Sequence, residues 1–144
     1  MKATMHHQPR RAGLLLAAAI GLFASCATMP SAQQLTLSGS NEVPPVTTTA
    51  SGTANVTVGA DRSVKANVTV TGMTATASHI HEGAAGSNGP VIVPFTKTGD
   101  NTFAAADGAK LTEAQYASYK AGNLYVNVHS AKSPGGEVRA QLKP

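Results

Sequence analysis

The sequence predicts an all-β fold, an antiparallel Greek-key sandwich or barrel of seven or eight short strands, with one short helix near residues 112–121. Three observations carry this expectation. Apolar residues recur at every second position through most of the chain, turn signals recur roughly every ten residues, and a single segment bears both helix start and stop signals.

The chain opens on a leader. Lys2, Arg10 and Arg11 precede the apolar stretch AGLLLAAAIGLFAS, which is shorter than the roughly 20 residues that cross a bilayer and reads as a secretory signal over residues 1–25. Phe23-Ala24-Ser25-Cys26 resembles a lipobox, which makes Cys26 the lipidation site. The expected localisation is the periplasmic face of a membrane, most simply the outer one, with the lipid as the only membrane attachment. An ordinary signal cut near Ala32, giving a soluble periplasmic or secreted protein, is the alternative. Residues 26–33 form a tether, and residues 34–144 a single β domain.

Within the domain, Leu35-Thr36-Leu37 starts the strands. Ala54, Val56 and Val58 alternate with Thr53, Asn55 and Thr57, and Val64, Ala66, Val68 and Val70 alternate with Ser63, Lys65, Asn67 and Thr69. This is the period of strands with one face on a core and the other in water. Gly59-Ala60-Asp61-Arg62 between them supplies a hairpin turn. Further strands follow at Pro90–Lys97, Asn101–Ala106, Asn123–Ser130 and Glu137–Leu142, with Thr98-Gly99-Asp100 as another turn. In LTEAQYASYKAG, Thr112 and Gln115 fit a capping box and Gly122 fits the residue just past a helix end.

Charge and composition exclude several classes. The formal +4 includes the three leader cations, so eight basic residues face seven acidic ones in the mature chain, which carries no basic stripe and no Trp. Nucleic-acid binding is not expected. The single cysteine, Cys26, leaves no disulfide and no thiolate for a blue-copper centre. No Ser-His-Asp set, activated cysteine or carboxylate pair marks a catalytic site, so no catalytic residue is assigned and an enzyme is the less favoured reading.

Histidine carries the functional signal. His79 and His81 form a His-Ile-His triplet, and His129 closes NLYVNVHS. Residues i and i+2 of a strand share a face, roughly 6.5–7 Å apart, close enough for two imidazoles to lean onto one ion. Ile80, Val126 and Val128 belong to the core, which turns His79, His81, Tyr125, Asn127 and His129 outward. If the two strands are near neighbours, three imidazoles converge on the outer surface and form a metal site. The alternative is three solvated surface histidines. Imidazole suits copper, as Cu(I) or Cu(II), and also zinc, with copper favoured by the stability order. Affinity is expected to fall as pH drops through about 6, since only neutral imidazole ligates. Glu82, Asn127 and Arg139 are candidates to support the ligands from behind. Glu82 is equally a solvated residue, and Arg139 could hold an anion or, more simply, pair with a carboxylate. Gly83–Pro90 lacks the Lys and Ser/Thr of a phosphate loop and reads as a chain reversal.

LSGSNEVPPVTTTASGTANVTV, HIHEGAAGSNGPVIV and NLYVNVHSAKSPGGEVRAQL, in that order, closely resemble the CHRD domain, named for its occurrence in chordin, over about Leu35 to Leu142. The resemblance implies an all-β domain. More loosely, the HxH strand with its glycine-rich sequel and the late VxVH strand are similar to the copper-binding strands of Cu/Zn superoxide dismutase. That comparison matches His79, His81 and His129 to three copper ligands on a Greek-key barrel. The chain departs from it in having no bridging fourth histidine and no zinc-loop cluster, and Arg139 is only a candidate for the guiding arginine. The expected function is an extracytoplasmic metal-binding protein that sequesters copper or transfers it to a copper-handling partner. The alternatives are a protein- or polysaccharide-binding module without metal and, third, a weak dismutase-like redox enzyme.

Overall fold

A computed structural model describes residues 31–144; the leader, Cys26 and most of the tether lie outside the described residues. Eight antiparallel strands close a barrel: β1 (Gln33–Ser38), β2 (Ser51–Val58), β3 (Val64–Thr71), β4 (Ala75–Glu82), β5 (Val91–Gly99), β6 (Thr102–Ala105), β7 (Leu124–Ser130) and β8 (Val138–Gln141). Their order around the barrel is β1-β2-β3-β6-β5-β4-β7-β8. The hairpin-linked β4, β5 and β6 are followed by β7, which returns past them to lie beside β4, a Greek key. Of the sandwich and the barrel, the sequence took the barrel.

The alternating valines do what their period requires. Val64, Ala66, Val68 and Val70 of β3 are buried while Lys65, Asn67, Thr69 and Thr71 are exposed. Leu37, Val56, Ile80, Phe103, Val126 and Val128 fill the same interior. The crossover from β3 to β4 is fastened by Asn101, whose Oδ1 accepts from the Ala75 N–H at 2.9 Å and whose Nδ2 donates to the Met73 carbonyl at 2.8 Å. Met73, a conceivable soft metal ligand by residue type, packs against the core.

The crossover from β6 to β7 carries the one α-helix among the described residues, α1 (Glu113–Lys120). Thr112 and Gln115 form the expected reciprocal capping box. Gly122, at φ +76°, takes the left-handed conformation that ends the helix. Tyr119 turns into the core, and its hydroxyl accepts from Gln33 Nε2 at 2.7 Å, so the helix closes one end of the barrel near the start of β1.

Candidate metal centre

β4 and β7 lie side by side in an antiparallel ladder that places His79 opposite Asn127, His81 opposite Tyr125, and Ala77 opposite His129. Because pleating alternates the faces, Ile80, Val126 and Val128 point into the core and the histidines point out. The register in β5 shifts between the partners of Ile80 and His81, a bulge of the kind that re-aims side chains beside sites. The three imidazoles then converge, with one ring nitrogen from each lying within 4.8 Å of the others.

The outward face is not a wet surface. The glycine-rich loop after β4 and the Ser133–Gly136 turn before β8 fold over it, leaving His81 buried and His79 and His129 half-buried. Sequence parity gave the side of the sheet; it carried no information on what covers that side.

The covering loops fix the rings. His81 Nδ1 lies 2.9 Å from the Gly89 carbonyl and His129 Nδ1 lies 2.9 Å from the Pro134 carbonyl. A carbonyl only accepts, so in each neutral ring Nδ1 carries the proton and Nε2 keeps its lone pair. His79 Nδ1 lies 3.0 Å from His129 Nε2. The converging set is therefore His79 Nδ1, His81 Nε2 and His129 Nε2, with two tautomers set by backbone, as ligating histidines require. His81 Nε2 is buried with no hydrogen-bond partner. Such an atom costs about 1–3 kcal/mol when left unpaired, and a cation among the three nitrogens would satisfy it.

Burial favours the neutral form of His79 and His81. Burial first, then His129 and His81 alongside, push His79 down to about 4. His81 is lowered too, chiefly by burial, with the Gly89 carbonyl acting in the opposite direction. Three imidazoles, each a ligand in its neutral form, make a borderline-soft nitrogen set that fits a transition metal ion.

Behind His81 stands a stack. The Tyr125 ring lies parallel to the His81 ring at 4.8 Å and 7°, and the Arg139 guanidinium covers the other Tyr125 face at 3.4 Å. The Tyr125 hydroxyl accepts from the Gly89 N–H at 3.2 Å, so Gly89 holds tyrosine and histidine together. Tyr125 was not singled out as a site residue from sequence; its outward parity in YVNVHS was the available signal.

Two expectations need correction. Arg139 forms no ion pair and offers no free guanidinium to an anion. It is 1% exposed and donates to the Ala84 and Ser87 carbonyls, Asn88 Oδ1 and Gln141 Oε1, pinning the loop over the site. Among the described residues the one salt bridge is Lys110–Asp61, at the β2–β3 turn, and it involves neither Arg139 nor a histidine. Glu82, unlike Arg139, does not stand behind the imidazoles: its carboxylate accepts from Ser118 Oγ at 2.5 Å and ties β4 to α1. Asn127 is buried on the histidine face. Glu42, unnoticed in the sequence, is buried near it, with its carboxyl pushed up to about 7 by burial against the opposing pull of Arg139.

The CHRD domain family model matches residues 33–142, the whole barrel. No curated protein and no solved structure matches the chain.

Proposed function

The chain belongs to the CHRD domain family, and from this premise we propose that it is an extracytoplasmic copper-binding protein, holding the ion through His79, His81 and His129 for sequestration or transfer. The observation that supports this reading most is the convergence of three imidazole nitrogens within 4.8 Å, two of them presented by backbone-anchored rings. Imidazole does not by itself separate copper from zinc. The stability order favours copper, and three neutral nitrogens also suit the low coordination numbers of Cu(I). His79 and His129 stay half-exposed while His81 is buried, so an ion is approached from the His79–His129 side, where a copper-handling partner would exchange it. The leader and Cys26 support placing the domain at a periplasmic membrane face, tethered by lipid.

The test is parallel titration of the wild-type chain and a His79→Ala/His81→Ala/His129→Ala variant with Cu(I), Cu(II) and Zn(II), in protein free of any histidine tag. Tight one-to-one copper binding that the variant lacks is the expected result, with zinc binding weaker. Equal weak binding by both proteins overturns the proposal.

A further inference from the structure

Three buried side-chain atoms among the described residues have no hydrogen-bond partner: His81 Nε2, Asn127 Oδ1 and Glu42 Oε1. Buried polar atoms in folded proteins are nearly always paired, so each unpaired one calls for a ligand or a physical reason. These three are grouped. His81 and Asn127 are outward residues of adjacent strands, on the face that also carries His79 and His129. Glu42 and Asn127 meet over Gly136: a Cβ at that glycine would lie 2.5 Å from Glu42 Oε1 and 2.6 Å from Asn127 Nδ2.

Asn127 occupies the floor of the histidine cluster. The β4–β7 register puts it directly opposite His79, one pair from His81 on the diagonal, and two residues before His129 on its own strand. Residues so placed in an antiparallel pair have Cβ atoms about 4.5–5.5 Å apart when opposite and about 7–8 Å apart on the diagonal, within reach of one another's side chains. Asn127 Nδ2 donates, at a long 3.5 Å, to the Gly135 carbonyl, which leaves Oδ1 as the end without a partner. The Asn127 side chain is within hydrogen-bonding reach of His81, where it favours the protonated ring; beside the neutral ring, acceptor oxygen and acceptor nitrogen leave each other unpaired. Both are satisfied by a cation.

We propose that the Asn127 amide oxygen is a fourth, oxygen donor to the ion held by His79, His81 and His129, and that it sets the oxidation-state preference of the site. The inference rests on the copper reading above and extends it. Amide oxygen is a hard donor, which Cu(II) accepts readily and Cu(I) does not seek, so it stabilises Cu(II) selectively. Gly136 is part of the arrangement, because any side chain there would enter the space that Glu42 and Asn127 share. The Ser-Pro-Gly-Gly turn thereby keeps the amide in place as well as holding His129.

The experiment compares wild type, Asn127→Leu and Asn127→Asp as full-length, tag-free chains, each titrated with Cu(I) and with Cu(II) and each measured for its Cu(II)/Cu(I) potential. Asn127→Leu keeps the volume and removes the oxygen. Its Cu(II) affinity is expected to fall about tenfold with Cu(I) affinity changed less than about twofold, which for a one-electron couple raises the potential by about 59 mV. Asn127→Asp, with a charged oxygen at the same place, shifts both quantities the other way and its Cu(II) spectrum changes accordingly. Both variants binding Cu(I) and Cu(II) in the wild-type ratio, with the wild-type potential, overturn the inference while the three-histidine site stands. Copper binding by wild type that is no stronger than in the triple-histidine variant overturns the site itself, and the inference with it.

Discussion

The β2–β3 and β4–β7 ladders are built from the same alternation and put it to different uses. β2 and β3 pair without interruption through eight register positions, Ser51 opposite Thr71 to Val58 opposite Val64. Their outer residues, such as Lys65, Asn67 and Thr69, lie in water. On β7 the outward residues Tyr125 and Asn127 are as buried as the inward valines. One ladder has a core side and a wet side. The other has an apolar side and a polar side that is also closed, and that second enclosed face is where groups with chemistry gather.

The sharpest contrast is on the inner faces, which should be equally intolerant. Ile80→Ala, directly beneath the histidines, is expected to cost about 2–5 kcal/mol, and Val68→Ala on β3 somewhat less for its smaller side chain. Chemical denaturation measures both, and an Ile80→Ala cost below about 1 kcal/mol would mean that β4 is not packed as described.

Next come the covers. A Cβ at Gly89 would collide with the Glu82 backbone carbonyl, so Gly89→Ala must displace the loop that anchors both His81 and Tyr125. A loss of about 2 kcal/mol or more is expected, together with weakened copper binding. Arg139→Met, which removes the pin through this loop, is expected to cost about 1.5–3 kcal/mol, with a falling affinity as the loop loosens. Unchanged binding in both variants would show that the cover does not orient the ligands. Tyr125→Phe deletes only the hydroxyl bond to Gly89, worth about 1 kcal/mol.

The pH response separates the two faces more subtly. His79 sits near 4 in the folded apoprotein against an ordinary 6.5. Between those values the unfolded chain binds more protons than the native one, so this group's contribution to stability is complete above 6.5 and is lost as pH falls through about 4. Glu42, raised from 4.5 to about 7, acts in reverse, its effect on stability worsening as pH rises across that interval. The measurement is therefore the difference in apoprotein Tm between wild type and His79→Gln from pH 7 to 4, expected to move against wild type as acid is added. Parallel curves would refute the depressed value. Smallest of all, Thr69→Ala on the wet side of β3 is expected to stay within about 0.5 kcal/mol of wild type.

Local periodicity revealed much of this in the sequence. The parity of Ile80, Val126 and Val128 placed all three histidines on one face, and Thr112 with Gln115 located the helix to within a residue or so at each end. The adjacency of β4 and β7 is not legible in the period, because it depends on the β6–β7 crossover that carries α1 and on how the barrel closes. The partners of Arg139 and Glu82 are not legible in the sequence for a related reason. These partners, the Ala84–Asn88 loop and Ser118, are distant or irregular segments, and period two says nothing about where a loop will lie. Glu42 escaped notice because its burial is produced by packing of the segment after β1 rather than by any pattern around it.

His79 and His129 stand 50 residues apart in the chain, yet their ring nitrogens nearly touch. An ion shared between them would act as a removable cross-link across that long segment, one that the unfolded chain cannot form because it offers only the local His79–His81 pair. Loading and folding would then be thermodynamically linked. A free ion concentration a hundred times Kd would add about 2.7 kcal/mol to the native state, and any partner that withdraws the ion would also be withdrawing a fastening from the barrel.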